Sequence, residues 1–101
     1  MEVRQMAYSL SETIKTEIID LARRCNLDKV ILFGSRARGD NLERSDIDLA
    51  IQGGDTVAFA ASADEDIPTL LMFDVVDLDK PVQTELMEEI RRDGIVIYEK
   101  V

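Results

Sequence analysis

Three stretches decide the reading of this chain: GSRARGD at Gly34 to Asp40, SDIDLAI at Ser45 to Ile51, and FDVVDL at Phe73 to Leu78. Immediately before the first, Val30, Ile31, Leu32 and Phe33 form a short apolar run of the kind a buried strand uses. The run stops at Gly34-Ser35, where small residues let a ligand approach the backbone closely. A turn of this kind, opening a short helix through Arg36 to Arg38, presents aligned N–H donors to a polyphosphate.

The second stretch carries the sharper physics. In an extended strand side chains alternate faces, so Asp46 and Asp48 share one face with α-carbons roughly 7 Å apart, while Ile47, Leu49 and Ile51 turn into a core. Asp is depleted in strands, and two adjacent like charges repel, so the pairing makes sense around a divalent cation. Magnesium suits such a site, being a hard ion held by one or two carboxylates plus substrate phosphates and water. The chain has no His and one Cys, a donor set that excludes zinc. A third strand, predicted over Leu70 to Leu78, places Asp74 and Asp77 on opposite faces. Asp74, mid-strand between apolar neighbours, is the one expected to join the pair, because an unpaired charge there is costly. Asp77, near the strand end, is expected to be solvated.

The order GSRARGD, then SDIDLAI, then FDVVDL resembles the minimal nucleotidyltransferases of the DNA polymerase β-like superfamily. The likeness runs from the first helix to the closing strand at Ile95 to Glu99. It implies an α+β fold, a small mixed β-sheet flanked by helices, filling residues 1–101 as a single domain. It further implies that Gly34 and Ser35 hold the nucleoside triphosphate, with Arg36, Arg38 and Ser45 assisting. Asp46, Asp48 and Asp74 would bind two Mg2+ ions, Asp74 also helping to activate an acceptor hydroxyl. ATP or another NTP would be the substrate, attacked in line at the α-phosphorus with pyrophosphate leaving. In the resembled family many members are encoded beside a small helical HEPN-type protein and some act as antitoxins by adenylylating it, so the resemblance implies such a partner as the acceptor. Two other readings compete: the same chemistry on a small molecule or an RNA end, and a catalytically silent module that neutralises a partner by occlusion.

Composition bounds these choices. With 101 residues, 12 basic against 21 acidic side chains and a net charge of -9, the chain is ill suited to avid nucleic-acid binding, which needs Lys and Arg. A basic protein partner fits better, and a homo-oligomer is compatible with so small a core. Cys25 has no mate for a disulfide and is expected to pack in a core. No apolar run approaches the roughly 18 residues that cross a bilayer, and the cytoplasm is the default location.

The remaining elements are predicted as follows. Ser9 and Glu12 have capping-box spacing ahead of a helix carrying Ile14, Ile18, Leu21 and Ala22 and ending near Asn26. The segment from Asp55 to Ile67 reads as a weak helix, a departure from the family pattern. Pro81 suits the start of a last helix, with Leu86, Met87 and Ile90 as its apolar stripe and Gly94 at its end. Met6, Met72 and Met87 are expected to fill the core.

Overall fold

The structure is a computed structural model and describes residues 8–101. Four strands form one mixed sheet in the order β3-β2-β1-β4. Their ranges are β1 Lys29–Phe33, β2 Ile47–Gln52, β3 Phe73–Asp77 and β4 Ile95–Glu99. β1 is antiparallel to both β2 and β4, while β2 and β3 run parallel. A parallel pair needs a crossover, and here α3 (Thr56–Asp66) supplies it. The other helices are α1 (Glu12–Arg24), α2 (Gly34–Arg38) and α4 (Thr84–Asp93). The α+β mixed sheet expected from the sequence is the one observed.

Side-chain alternation divides the sheet into two unlike faces. One face sends Val30, Leu32, Ile47, Leu49, Ile51, Phe73 and Ile97 into a core with Ile18, Leu21 and Ala22 of α1 and Phe59 and Ala63 of α3. The opposite face carries a smaller cluster in which Phe33 and Ala50 meet Ile90 of α4, with Ile31, Val76, Leu78 and Leu86 around it. Asp48 and Asp74 alternate with the core residues of their strands and so lie on this second face.

Several local expectations are corrected. Ser11, not Ser9, caps α1, its Oγ accepting the Ile14 N–H at 3.2 Å. Ser9 instead donates its N–H to the Arg36 carbonyl at 2.8 Å. The segment after Gly54 is a full helix: Asp55 caps it by accepting the Ala58 N–H at 3.1 Å, and Phe59 and Ala63 anchor it at 0% exposure. Two anchors one turn apart, with a cap, outweigh its mediocre propensities. α4 starts at Thr84, three residues beyond Pro81. Met72 is 59% exposed and fills no core. Met87 is half-buried, and Met6 lies outside the described residues. Cys25 is buried, as expected.

Phe59 is the largest of the fully buried side chains, at the joint of α1, α3 and the sheet. Phe59→Ala leaves a cavity and is expected to cost about 3–5 kcal/mol, a large share of the 5–15 kcal/mol typical of a domain. Denaturant unfolding of the two proteins measures the difference; a loss under about 1 kcal/mol contradicts this packing.

Candidate active site

The site is built at the end of β1, where the chain turns directly into α2. Phe33 is extended, and Gly34 takes φ +75, a left-handed backbone conformation that glycine adopts without strain. Gly34 is also held close to β2, since its neighbour Phe33 is in register with Asp48. A Cβ placed on Gly34 would overlap Asp48 Oδ2 and lie 3.0 Å from Asp48 Cγ. The glycine is therefore required twice, by its dihedral and by the carboxylate against it. Ser35 follows in the first turn of α2, where helix geometry leaves backbone N–H groups without internal partners. Its carbonyl accepts the N–H groups of Gly39 and Asp40, closing the short helix on itself.

β2 and β3 supply the carboxylates. In their parallel pairing Asp48 and Asp74 are direct cross-strand partners, and Asp46 precedes β2 by one residue, close enough for its charge to act on Asp48. Asp48 is half-buried, and Asp46 and Asp74 are exposed. Burial, followed by the charges of Asp74, Asp46 and Glu89, pushes the Asp48 carboxyl up from an ordinary 3.8 to about 6, with Arg38 acting in the opposite direction. The three carboxylates are neighbours and not a closed cage. Among the described residues no three acidic, His or Cys side chains are drawn tightly enough to hold an ion by themselves.

The other sequence-predicted positions separate into two groups. Arg36 is 6% exposed and its guanidinium is committed to the protein: Nε donates to the Ser45 carbonyl at 3.0 Å, Nη1 to Ser9 at 3.2 Å and Nη2 to Glu43 at 3.0 Å. Expected to help hold a nucleotide, Arg36 here ties the loop before β2 to α2 through these carbonyls. Ser45 shares that work, its Oγ accepting the Leu42 N–H at 2.9 Å. Arg38 stays at the surface beside the carboxylates, paired with Asp40 at 3.2 Å, Asp93 at 3.3 Å and Glu89 at 3.8 Å. Asp77 is not solvated. Its carboxylate accepts the Thr56 hydroxyl at 2.7 Å and the Asp79 N–H at 2.9 Å, joining β3 to the start of α3 on the other face. Glu89 of α4, which the sequence reading missed, faces both Arg38 and Asp48. The helical spacing around Ile90 marked it only as a polar neighbour.

A family model described as polymerase beta, nucleotidyltransferase, matches residues 14–101. The chain belongs to this family. No curated protein gave a significant match. Among solved structures, the chain resembles the crystal structure of a toxin-antitoxin with AMP-PNP, at 26% identity and TM-score 0.61, covering 85% of this chain and 73% of that one. A toxin-antitoxin MntA-HpeT mutant, Y104A, aligns at 27% identity and TM-score 0.65, covering 91% and 75%. The MntA-HepT structure itself, at 22% identity and TM-score 0.59, shares the fold. The domain is thus of nucleotidyltransferase type and resembles MntA toxin-antitoxin proteins.

Gly34→Ala forces both a left-handed φ and an overlap with Asp48, so it is expected to destabilise the protein by about 2 kcal/mol or more. A melting temperature within a degree or two of wild type contradicts the contact. For Asp48, the folded state holds its proton more tightly than the unfolded chain does. Its burden on stability is absent below about pH 4 and develops as pH rises through about 6. In metal-free buffer Asp48→Asn is therefore expected to be more stable than wild type at pH 7–8, by on the order of 1 kcal/mol once solvent screening is discounted. The gap closes towards pH 4, as denaturant titrations at several pH values would show; a gap independent of pH contradicts the charge cluster.

Proposed function

We propose that this domain transfers a nucleoside monophosphate, AMP from ATP, to a hydroxyl on a partner protein, a helical HEPN-type toxin. The observation that carries this reading is the placement of Asp48 against Gly34 and across from Asp74, with Asp46 beside it. Gly34 and Ser35 are the residues suited to the triphosphate, through the backbone donors of the first turn of α2 and the Ser35 hydroxyl. Arg38, whose guanidinium is exposed and shared among three carboxylates, is free to exchange one of them for a phosphate.

Asp46, Asp48 and Asp74 fit magnesium by the chemistry of the donor set. They are oxygen ligands only, and burial, with the charges of Asp74 and Asp46 added to it, raises Asp48. They form an open group rather than a full cage, which suits an ion that keeps its waters and takes substrate phosphates as ligands. When bound, magnesium supplies positive charge against the triphosphate and the departing pyrophosphate. The acceptor oxygen bonds to the α-phosphorus as the bond to the bridging oxygen of pyrophosphate breaks, and Asp74 takes the hydroxyl proton. Asp74 suits this role because it is exposed and sits on β3, the sheet edge away from the Gly34 turn.

The likeness to toxin-antitoxin structures supports a protein acceptor, and the -9 net charge disfavours RNA. The test is incubation of purified protein with magnesium and α-labelled ATP in lysate of its own host, wild type against Asp46→Asn. Label on a protein band is expected with wild type and to fall on the order of 100-fold or more in the variant. Label confined to small molecules or RNA overturns the protein acceptor, and equal labelling by the variant overturns the site.

A further inference from the structure

Beside Asp46 the surface opens into a cleft of about 460 Å³ lined by Glu43, Arg44 and Asp46 on one side and Leu70, Leu71 and Met72 on the other. Its apolar wall is exposed to water, with Leu70 at 99% and Met72 at 59% exposure, in a chain where a third of all residues are charged. The wall is also held in place. The Leu71 N–H donates to Thr69 Oγ1 at 3.1 Å, the Met72 carbonyl accepts from Ile47 at 2.9 Å, and the Phe73 N–H is bound by Asp64 at 3.0 Å. The opposite wall is fixed by the Arg36 bond to the Glu43 carbonyl and by the Ser45 bond to Leu42. Exposed apolar side chains on anchored backbone mark a contact surface.

The sheet order says what the cleft faces. Gly34, the phosphate-side residue, flanks Asp48 from β1, and β3 with Asp74 lies on the far side of β2. The cleft opens between the segments leading into β2 and β3, on the Asp74 side of the carboxylates and away from the Gly34 turn. An incoming hydroxyl must approach from that side if the nucleotide rests on the Gly34 side. We infer that this cleft docks the acceptor protein, taking an apolar side chain of the segment that carries the modified hydroxyl against Leu70 and Met72. Apart from Asp46, whose charge a bound magnesium would offset, its polar lining is Glu43 against Arg44, with no excess of positive charge, in a chain of net charge -9, which suits a neutral or basic polypeptide and opposes a phosphodiester backbone. This inference rests on the proposed protein acceptor and names where on this domain that acceptor binds.

The test compares wild type with Leu70→Asp and Met72→Asp, and with Val57→Asp as a control at an exposed apolar position on α3 outside the cleft. Each is assayed for Mg·ATP affinity by calorimetry and for initial rate of label transfer from α-labelled ATP to total host-cell protein at limiting and at high protein concentration. The cleft variants are expected to bind Mg·ATP as wild type does, to lose about tenfold or more in rate at limiting acceptor, and to recover as acceptor concentration rises. Val57→Asp transfers normally. Wild-type labelling of a protein that the cleft variants label equally well overturns the docking site and leaves the protein acceptor standing. Weakened Mg·ATP binding in the cleft variants assigns the cleft to the nucleotide, and a wild-type dimer that Leu70→Asp dissociates, with transfer unchanged, assigns it to self-association. Wild-type label on small molecules alone overturns the acceptor class, and the docking site with it.

Discussion

The carboxylate of Asp48 lies against the bare α-carbon of Gly34, and the rest of the site is arranged around that approach. It requires β1 and β2 to be paired so that Phe33 faces Asp48, and it requires the chain to leave β1 in a left-handed turn. Both conditions bring the amide-rich start of α2 beside an acidic strand. The backbone N–H groups of the first turn of α2 and the carboxylates of β2 and β3 are then neighbours without either having to reach across the domain. The cost is electrostatic: Asp48 is half-buried among Asp46, Asp74 and Glu89, and its proton affinity rises accordingly. A protein that only needed to fold would gain nothing from this grouping, which is the physical reason to read it as a site for cations and phosphates.

The two faces of the sheet divide the labour. The core with α1 and α3 takes most of the large apolar side chains, including Phe59, Leu32 and Ile51, and supplies rigidity. The opposite face has only a small cluster under α4, which leaves the ends of β2 and β3 open to ligand. Arg36 links the two functions. Three backbone carbonyls, from Ser9, Glu43 and Ser45, converge on its guanidinium, so the approach to α1, the loop before Asp46 and α2 move as one piece. The loop that delivers Asp46 is thereby held at Glu43 and Ser45.

Most of this was legible in the sequence because strand alternation and residue chemistry are local rules. Asp46 and Asp48 on one face, Asp74 and Asp77 on opposite faces, and a glycine at the turn after Phe33 all follow from spacing alone. What escaped depended on partners distant in sequence. Arg36 reads as a phosphate ligand in GSRARGD, and only the folded positions of Ser9, Glu43 and Ser45 show its guanidinium already occupied. Asp77 reads as a solvated strand end until Thr56 is brought 2.7 Å from it by α3. Met72 reads as core because it falls inside the strand predicted from Leu70, whereas β3 begins at Phe73 and the Met72 side chain faces water. The helix expected after Gly54 forms where the sequence places it, and burial of Phe59 and Ala63 secures it against its mediocre propensities.

The proposal stands or falls on whether Asp46, Asp48 and Asp74 act as one cation site beside Gly34 and Ser35. With 21 acidic residues in the chain, affinity alone does not locate that site. Backbone amide NMR with substoichiometric Mn2+ in place of magnesium does, because the paramagnetic ion broadens resonances close to it. The amides of Asp46, Asp48, Asp74, Gly34 and Ser35 are expected to broaden first, with the effect abolished in Asp48→Asn. Broadening centred elsewhere, such as on the acidic run Asp64 to Asp66, or an Asp48→Asn spectrum that broadens as wild type does, would contradict it.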